Sequence, residues 1–303
     1  MVARTAEHGD ALSVSTRQLM LGLLLALTSG WSAAAQDICP PAVRPDVEAM
    51  HWAESSGNDC ERYHGRRVCN GPRRVPLLEG EAEVRARSLG VVGGSVARRA
   101  TTGPAPEPWV EAARSEGARA APDLLWPVPE GRLWRGFGPR RGFQRRRGRL
   151  VRTRRQHMHN GVDIGADEGA LIVAVNDGLV VYSDNGMHGY GNAVLIVHAD
   201  GAVSMYAHCI ETYVVPGRLV HRGEVIAAVG QTGITHGAHL HFEYRNAGEL
   251  RDPLPHFVNI PERSRAGVAR IAGASGTPTT AVEQAWEAVD VPPPSETSHD
   301  VEP

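Results

Sequence analysis

Between Leu171 and Tyr244 the chain alternates short apolar runs with turn residues, at a spacing too short for helices. The runs Leu171–Val175, Leu179–Ser183, Ala193–His198, Ala202–His208, Val225–Val229 and Leu240–Tyr244 are rich in Val, Ile and Tyr. Gly-, Asn- and Asp-containing steps separate them, so each run reads as a strand. Asp200-Gly201 between two runs is a hairpin signal, whereas Asp177-Gly178 leads into a new strand. No window repeats apolar residues at helical spacing over several turns, so a parallel α/β fold is disfavoured and an all-β domain is expected over 126–260. Outside it the pattern fades. Gly80 to Ser88 predicts one helical segment in a stretch rich in Ala, Arg, Glu and Gly; otherwise 77–125 reads as linker. Residues 36–76 are polar, carry Cys39, Cys60, Cys69 and Trp52, and form a small cysteine-containing region whose fold no pattern names. The segment 261–303 has few large apolar residues and is expected to be a disordered tail.

The first 35 residues read as an export signal: Arg4 and Arg17 flank a polar start, Leu19–Leu27 is apolar, and Ala33-Ala34-Ala35 offers a small-residue cleavage site. The apolar stretch is shorter than the ~20 residues of a membrane span. No transmembrane anchor is therefore expected after cleavage, and a periplasmic location is favoured over release or display at the cell surface. Export permits disulfides. Cys60–Cys69 closes a short loop and is the favoured pair, leaving Cys39 and Cys209 paired or free, with Cys209 suited to a small buried hydrophobe. Across 303 residues, 42% hydrophobic content fits a globular core, while 34 Gly and 21 Pro imply many turns. All 32 basic residues are Arg, and the net charge of −2 excludes a globally basic nucleic-acid binder.

Chemistry concentrates in three fragments: His159-Asn160-Gly161-Val162-Asp163, Tyr206-Ala207-His208 and His239-Leu240-His241. On a strand, residues i and i+2 share a face, so His239 and His241 project together while Leu240 and Phe242 turn to a core. A catalytic zinc takes about three N/O protein ligands and keeps a position open for water. A His-x-x-x-Asp pair plus one strand histidine supplies such a set and leaves further histidines to move protons. His157-Met158-His159 is itself a His-x-His and makes His157 a competitor.

With Phe137-Gly138-Pro139-Arg140, Ala174-Val175-Asn176-Asp177-Gly178, Gly189-Tyr190-Gly191-Asn192 and Gly230-Gln231-Thr232-Gly233, these blocks resemble the lysostaphin-type, or LytM-type, zinc endopeptidases. Those enzymes cut the peptide part of bacterial peptidoglycan. The resemblance runs from Trp126 to about Pro255 and implies an antiparallel β-sandwich of the hybrid-motif kind. It also implies zinc as cofactor, with His159, Asp163 and His241 as ligands, His208 and His239 as the catalytic pair, and peptidoglycan as substrate. By the same pattern the ligand directly precedes x-Gly-x-Asp, which selects His159 over His157. Some LytM-type domains instead activate amidases without cutting; such regulators have usually lost a ligand, and none is missing here.

Four points stay open at this level. The division of labour between His208 and His239 is not readable. Glu243 shares the strand face of the two histidines and is either an acceptor that orients an imidazole or an exposed strand-end acid. The family's Tyr shortly before the first ligand is absent, and Gly136 to His159 is instead crowded with Arg140, Arg141, Arg145, Arg146, Arg147, Arg149, Arg152, Arg154 and Arg155. This Arg140–Arg155 run either grips anionic envelope polymers through bidentate pairs or is a solvated loop. His236, in the loop before the strand pair, is a candidate to line the cleft.

Overall fold

The computed structural model describes residues 43–55, 60–63, 66–146 and 149–275, with side-chain surroundings over 43–55, 70–139 and 157–270. The expected signal over 1–35, Cys39, the side chains of Cys60 and Cys69, those of Arg140 to Arg155 and the tail beyond 275 lie outside the described residues.

The apolar runs form strands, and they pair antiparallel. The main sheet has ten strands among the described residues. Its path runs β14 (Leu219–Val220), β11 (Gly178–Asp184), β12 (Asn192–His198), β13 (Val203–Thr212), β16 (His239–Asn246), β9 (Val162–Gly165) and β6 (Arg132–Arg135). Off this path, β15 (Val225–Val229) joins β13 and β10 (Leu171–Val173), and β17 (Glu249–Arg251) pairs with β16. The sheet branches at β13: Val203–Ala207 pairs with β16, whereas Cys209, Glu211 and Thr212 pair with β15. His208 stands at the fork with φ 64°, a left-handed conformation unusual for a residue bearing Cβ. The sheet thereby curls over a core containing Trp126, Ile164, Ile196, Tyr206, Ile226, Leu240 and Phe242. Small antiparallel additions are β1 (Trp52–Ser55) with β4 (Arg73–Pro76), β2 (Cys60–Tyr63) with β3 (Arg66–Cys69), and a long ribbon of β7 (Gly138–Arg146) and β8 (Arg149–His159). β5 (Leu124–Leu125) and β18 (Phe257–Val258) form a parallel pair. The expected antiparallel β architecture is the one found.

Two segments depart from expectation. The expected helix α1 (Gly80–Ser88) forms, but where the rest of 77–125 reads as linker the chain adds α2 (Val96–Thr101) and α3 (Glu107–Ser115). Trp109, Val110 and Ala113 of α3 join Ala86, Val96 and Ala100 against Leu179, Val181, Leu195, Val197 and Met205. The reason is the second face of the sheet. Along β12, Val194 and Ile196 enter the first core and Leu195 and Val197 the second, so both faces need cover. The start of the expected disordered tail is likewise ordered as α4 (Glu262–Ser275): Val268 is fully buried, and Ser264 Oγ both donates to Gly131 O (2.9 Å) and accepts from Leu133 N (3.2 Å). No helix among the described residues is long and apolar enough to cross a membrane.

Candidate metal centre

Register brings the motif residues together. β9 and β16 are antiparallel neighbours with Asp163 opposite His241, and His159 ends β8 four residues before Asp163. Gly161 allows this approach: a Cβ there would lie 2.0 Å from Phe242 O. One donor atom from each of His159, Asp163 and His241 lies within 4.8 Å of the others, the one such group of three among the described residues. His159 Nε2 is 3.0 Å and His241 Nδ1 2.8 Å from Asp163 Oδ1.

The hydrogen bonds around the imidazoles decide which nitrogens are free. A carbonyl can only accept, so His159 donates from Nδ1 to Gly136 O (2.7 Å), leaving Nε2 as the nitrogen that faces Asp163. His241 turns Nε2 to the Glu243 carboxylate (3.3 Å) and Nδ1 to Asp163. Nε2 of His159 and Nδ1 of His241 thus converge on the Asp163 carboxylate and donate to it; a bound cation would replace those protons, with each ring's other nitrogen oriented by an acceptor, the pattern of imidazoles that ligate metals. His208 donates from Nδ1 to Thr232 O (2.8 Å) and His239 from Nδ1 to Gly237 O (2.7 Å). Nε2 is the basic nitrogen in both, and their rings stand 4.8 Å apart.

Charge fits the same picture. Burial opposes ionisation of Asp163, yet hydrogen bonds from His159 and His241 prevail and hold its carboxyl well below the usual range. Burial also opposes a charged His241, but the Asp163 and Glu243 carboxylates outweigh it and raise that imidazole to about 9. The pocket therefore calls for positive charge at the point between two imidazoles and a carboxylate, and a divalent cation with N/O preference suits that donor set. His208 is driven the other way, to about 3, first by burial and then by the neighbouring His241 and His239. Burial likewise lowers His239.

The cleft above this group is lined by Trp134, Arg135, Met158, His188, Tyr190 and Ile234, among others. Trp134, Met158 and Ile234 are three of the exposed large hydrophobic residues of the described chain, and all lie on this rim. His236 lines the cleft; His157 is exposed and does not. Glu243 is no exposed acid: it is fully buried and accepts from Tyr190 Oη (2.8 Å) and Arg245 Nη2 (3.0 Å) as well as His241. Tyr190, Trp134, Arg135 and His188 escape a reading by motif. Tyr190 belongs to Gly189-Tyr190-Gly191-Asn192, but nothing local shows that its hydroxyl reaches Glu243, 53 residues on. Arg135 stands opposite Asp163 in register, with Nη1 3.7 Å from Oδ2. Cys209 is buried and free, and burial pushes its thiol up to about 12.

Comparison with known proteins agrees in extent with this site. The chain is 33% identical over 193 residues to the murein hydrolase activator NlpD of Salmonella typhimurium, covering 62% of this chain and 46% of that protein. It is 38% identical over 115 residues to the DD-carboxypeptidase/endopeptidase Mpg of Neisseria meningitidis, 38% of this chain and 26% of the relative. The chain thus spans about half or less of the length of these relatives. A zinc-containing peptidase from Vibrio cholerae aligns at 31% identity over 43% of this chain and 39% of its own, with a TM-score of 0.37. Residues 157–253 match the model of Peptidase family M23, and the segment that holds His159, Asp163, His208, His239 and His241 is a domain of that family, of the LytM type.

Proposed function

We propose that this domain is a zinc-dependent endopeptidase that hydrolyses peptide cross-links or stem peptides of bacterial peptidoglycan, exported to the periplasm or cell surface. One observation carries the reading: a convergent His159, Asp163 and His241 donor set with two further imidazoles, His208 and His239, whose Nδ1–H groups are held by carbonyls and whose Nε2 atoms are the basic ones, that of His239 lying 3.7 Å from Asp163 Oδ1. His159 Nε2, an Asp163 oxygen and His241 Nδ1 would hold the metal. When bound, zinc lowers the pKa of water to about 7 and polarises a carbonyl. The protein's own part is proton handling. At neutral pH both histidines are uncharged, so either Nε2 can take the proton of the attacking water and return it to the leaving amine. The imidazolium so formed faces the region where negative charge develops on the scissile carbonyl oxygen. Arg135, on the cleft wall, brings positive charge for anionic groups of envelope polymers, and the Arg140 to Arg155 run of the sequence would serve the same polymers.

A second reading has specific support, since a relative sharing 33% identity over 193 residues is named as an activator of murein hydrolases. In that reading the cleft docks a partner and cuts nothing. Purified peptidoglycan incubated with the zinc-loaded protein, with and without chelator, separates the two by fragment mass analysis. Chelator-sensitive release of peptide fragments supports the enzyme. Intact cross-links, with stimulation of an added amidase, would establish the activator instead.

A further inference from the structure

We infer that Asn70, which lies outside the segment matching the family, is a positioning residue of this site. The inference rests on the peptidase reading above. Asn70 is 9% exposed and sits just before β4, in the region whose role the sequence leaves unnamed. Its side chain holds one wall of the cleft. Nδ2 donates to Asn185 O (2.6 Å) and Met187 O (3.2 Å), and Oδ1 accepts from Gly189 N (3.0 Å). Its backbone carbonyl accepts from Gly233 N (3.0 Å). One residue thus ties two loops, 185–191 and 230–238, that have no strand pairing with each other yet both line the cleft.

The two loops meet closely. Ile234 N donates to Gly189 O (2.8 Å), and a Cβ on Gly233, at φ 79°, would lie 2.4 Å from that oxygen. From this seam the brace reaches chemistry by two short routes. His208 N donates to Tyr190 O and His208 Nδ1 to Thr232 O, both at 2.8 Å, so the left-handed His208 hangs from one atom of each loop. Tyr190 Oη donates to Glu243, which orients His241. A backbone in the left-handed region costs energy and persists only where its surroundings over-determine it. Asn70 supplies that constraint, fixing the carbonyl that sets the His208 tautomer. Nothing ties it directly to His159, Asp163 or His241.

The test uses the full chain with Asn70→Ala, with Asn70→Asp, which keeps the shape and the acceptor for Gly189 N–H, and with Val75→Ala as a control. Val75 is buried in β4 of the same region and touches no cleft loop bond named here. Three readouts are taken below each melting midpoint: amide exchange, the ring ¹⁵N spectrum of His208, and kcat and KM on a soluble peptide. In both Asn70 variants amides of 185–191 and 231–235 exchange faster, and His208 passes from a single Nδ1–H tautomer to a mixture. Their kcat falls about tenfold or more, the scale of a misplaced catalytic group, while KM moves less and zinc stays stoichiometric. Val75→Ala loses thermal stability with none of these changes. If Asn70→Ala keeps the His208 tautomer and kcat, or if Val75→Ala reproduces its effects at equal stability, Asn70 is only a structural residue and the inference is wrong. If the wild-type chain hydrolyses nothing, the peptidase reading fails, and the tautomer and exchange readouts decide the role of Asn70 by themselves.

Discussion

Replacing Glu243 by Gln removes one charge and changes almost no volume, so it isolates what the buried carboxylate does. Three donors converge on it: Tyr190 Oη at 2.8 Å, Arg245 Nη2 at 3.0 Å and His241 Nε2 at 3.3 Å. Burial opposes its ionisation, but the hydrogen bonds and charges of His241 and Arg245 prevail and keep it a carboxylate. A glutamine has one oxygen for these donors and turns an amino group on at least one of them. The interaction lost to His241 is a charge-assisted hydrogen bond, worth about 1.5–3 kcal/mol. At about 1.4 kcal/mol per decade, that is a loss of roughly one to two decades in zinc affinity, the same scale as the ~10- to 100-fold found for outer partners of metal-binding imidazoles. The assay is competition for zinc between the full chain and a chromogenic chelator, at neutral pH, for wild type and Glu243→Gln. Glu243→Asp serves as a second variant that keeps the charge and withdraws it by one methylene. Zinc affinity within about twofold of wild type in Glu243→Gln would refute the argument that the carboxylate orients His241.

Asp163→Ala removes the carboxylate at the centre of the donor set and should leave the purified protein with little zinc by metal analysis; full occupancy would remove Asp163 from the site. His208→Ala and His239→Ala should retain zinc and lose hydrolysis by roughly 10²-fold or more, the usual scale for positioned acid–base groups; loss of metal in either, with retention in His241→Ala, would reverse the roles. Trp109 is fully buried and donates from Nε1 to Leu89 O (2.9 Å), so Trp109→Ala should cost about 3–5 kcal/mol by chemical denaturation. A loss below about 1 kcal/mol would mean that α1 to α3 are not integral to the core. His198 is fully buried, and burial lowers its pKa from the ordinary value. Its contribution is therefore complete above the unfolded pKa of about 6.5 and is lost as pH falls below it. His198→Asn should reduce the acid slope of stability below pH 6 by up to about 1.4 kcal/mol per pH unit, and an unchanged slope would count against a neutral buried His198.

The strands of 171–244 were legible because alternation and turn residues are local signals. The metal set was legible because spacing fixes faces: His-x-His on a strand must point one way. What stayed hidden depends on contacts between distant segments. The helices α2 and α3 are short, and the apolar face of Trp109, Val110 and Ala113 on α3 spans too few turns to stand out from the Ala- and Arg-rich sequence around it. The better signal lay elsewhere, in the uninterrupted apolar run Ala193–Val197, since a strand apolar on both faces needs a second layer. Gly80–Ser88 buries just Ala86, so the helix most visible in the sequence contributes least to that layer. Tyr190, Arg135 and Asn70 reach the site through register and loop closure, which no short window encodes. The left-handed turn at His208 follows from the branching of β13, a property of the sheet and not of Tyr206-Ala207-His208.

The arrangement is expensive for a fold that needed only a curled sheet. Asp163, His208, His239, His241 and Glu243 are all buried, and His208 is held at positive φ. Each buried ionisable group costs stability unless it is paired, and breaking a local rule in this way is characteristic of functional sites. The expense is also directed. Carbonyls at Gly136 and, in the 230–238 loop, at Thr232 and Gly237 each receive an Nδ1–H and so leave Nε2 of His159, His208 and His239 as the nitrogen available to the site. His241 alone is turned the other way, by Glu243, which leaves Nδ1 toward Asp163. Orienting four imidazoles beneath the rim costs order that the proposed hydrolase would use, two rings to hold a metal and two to move protons.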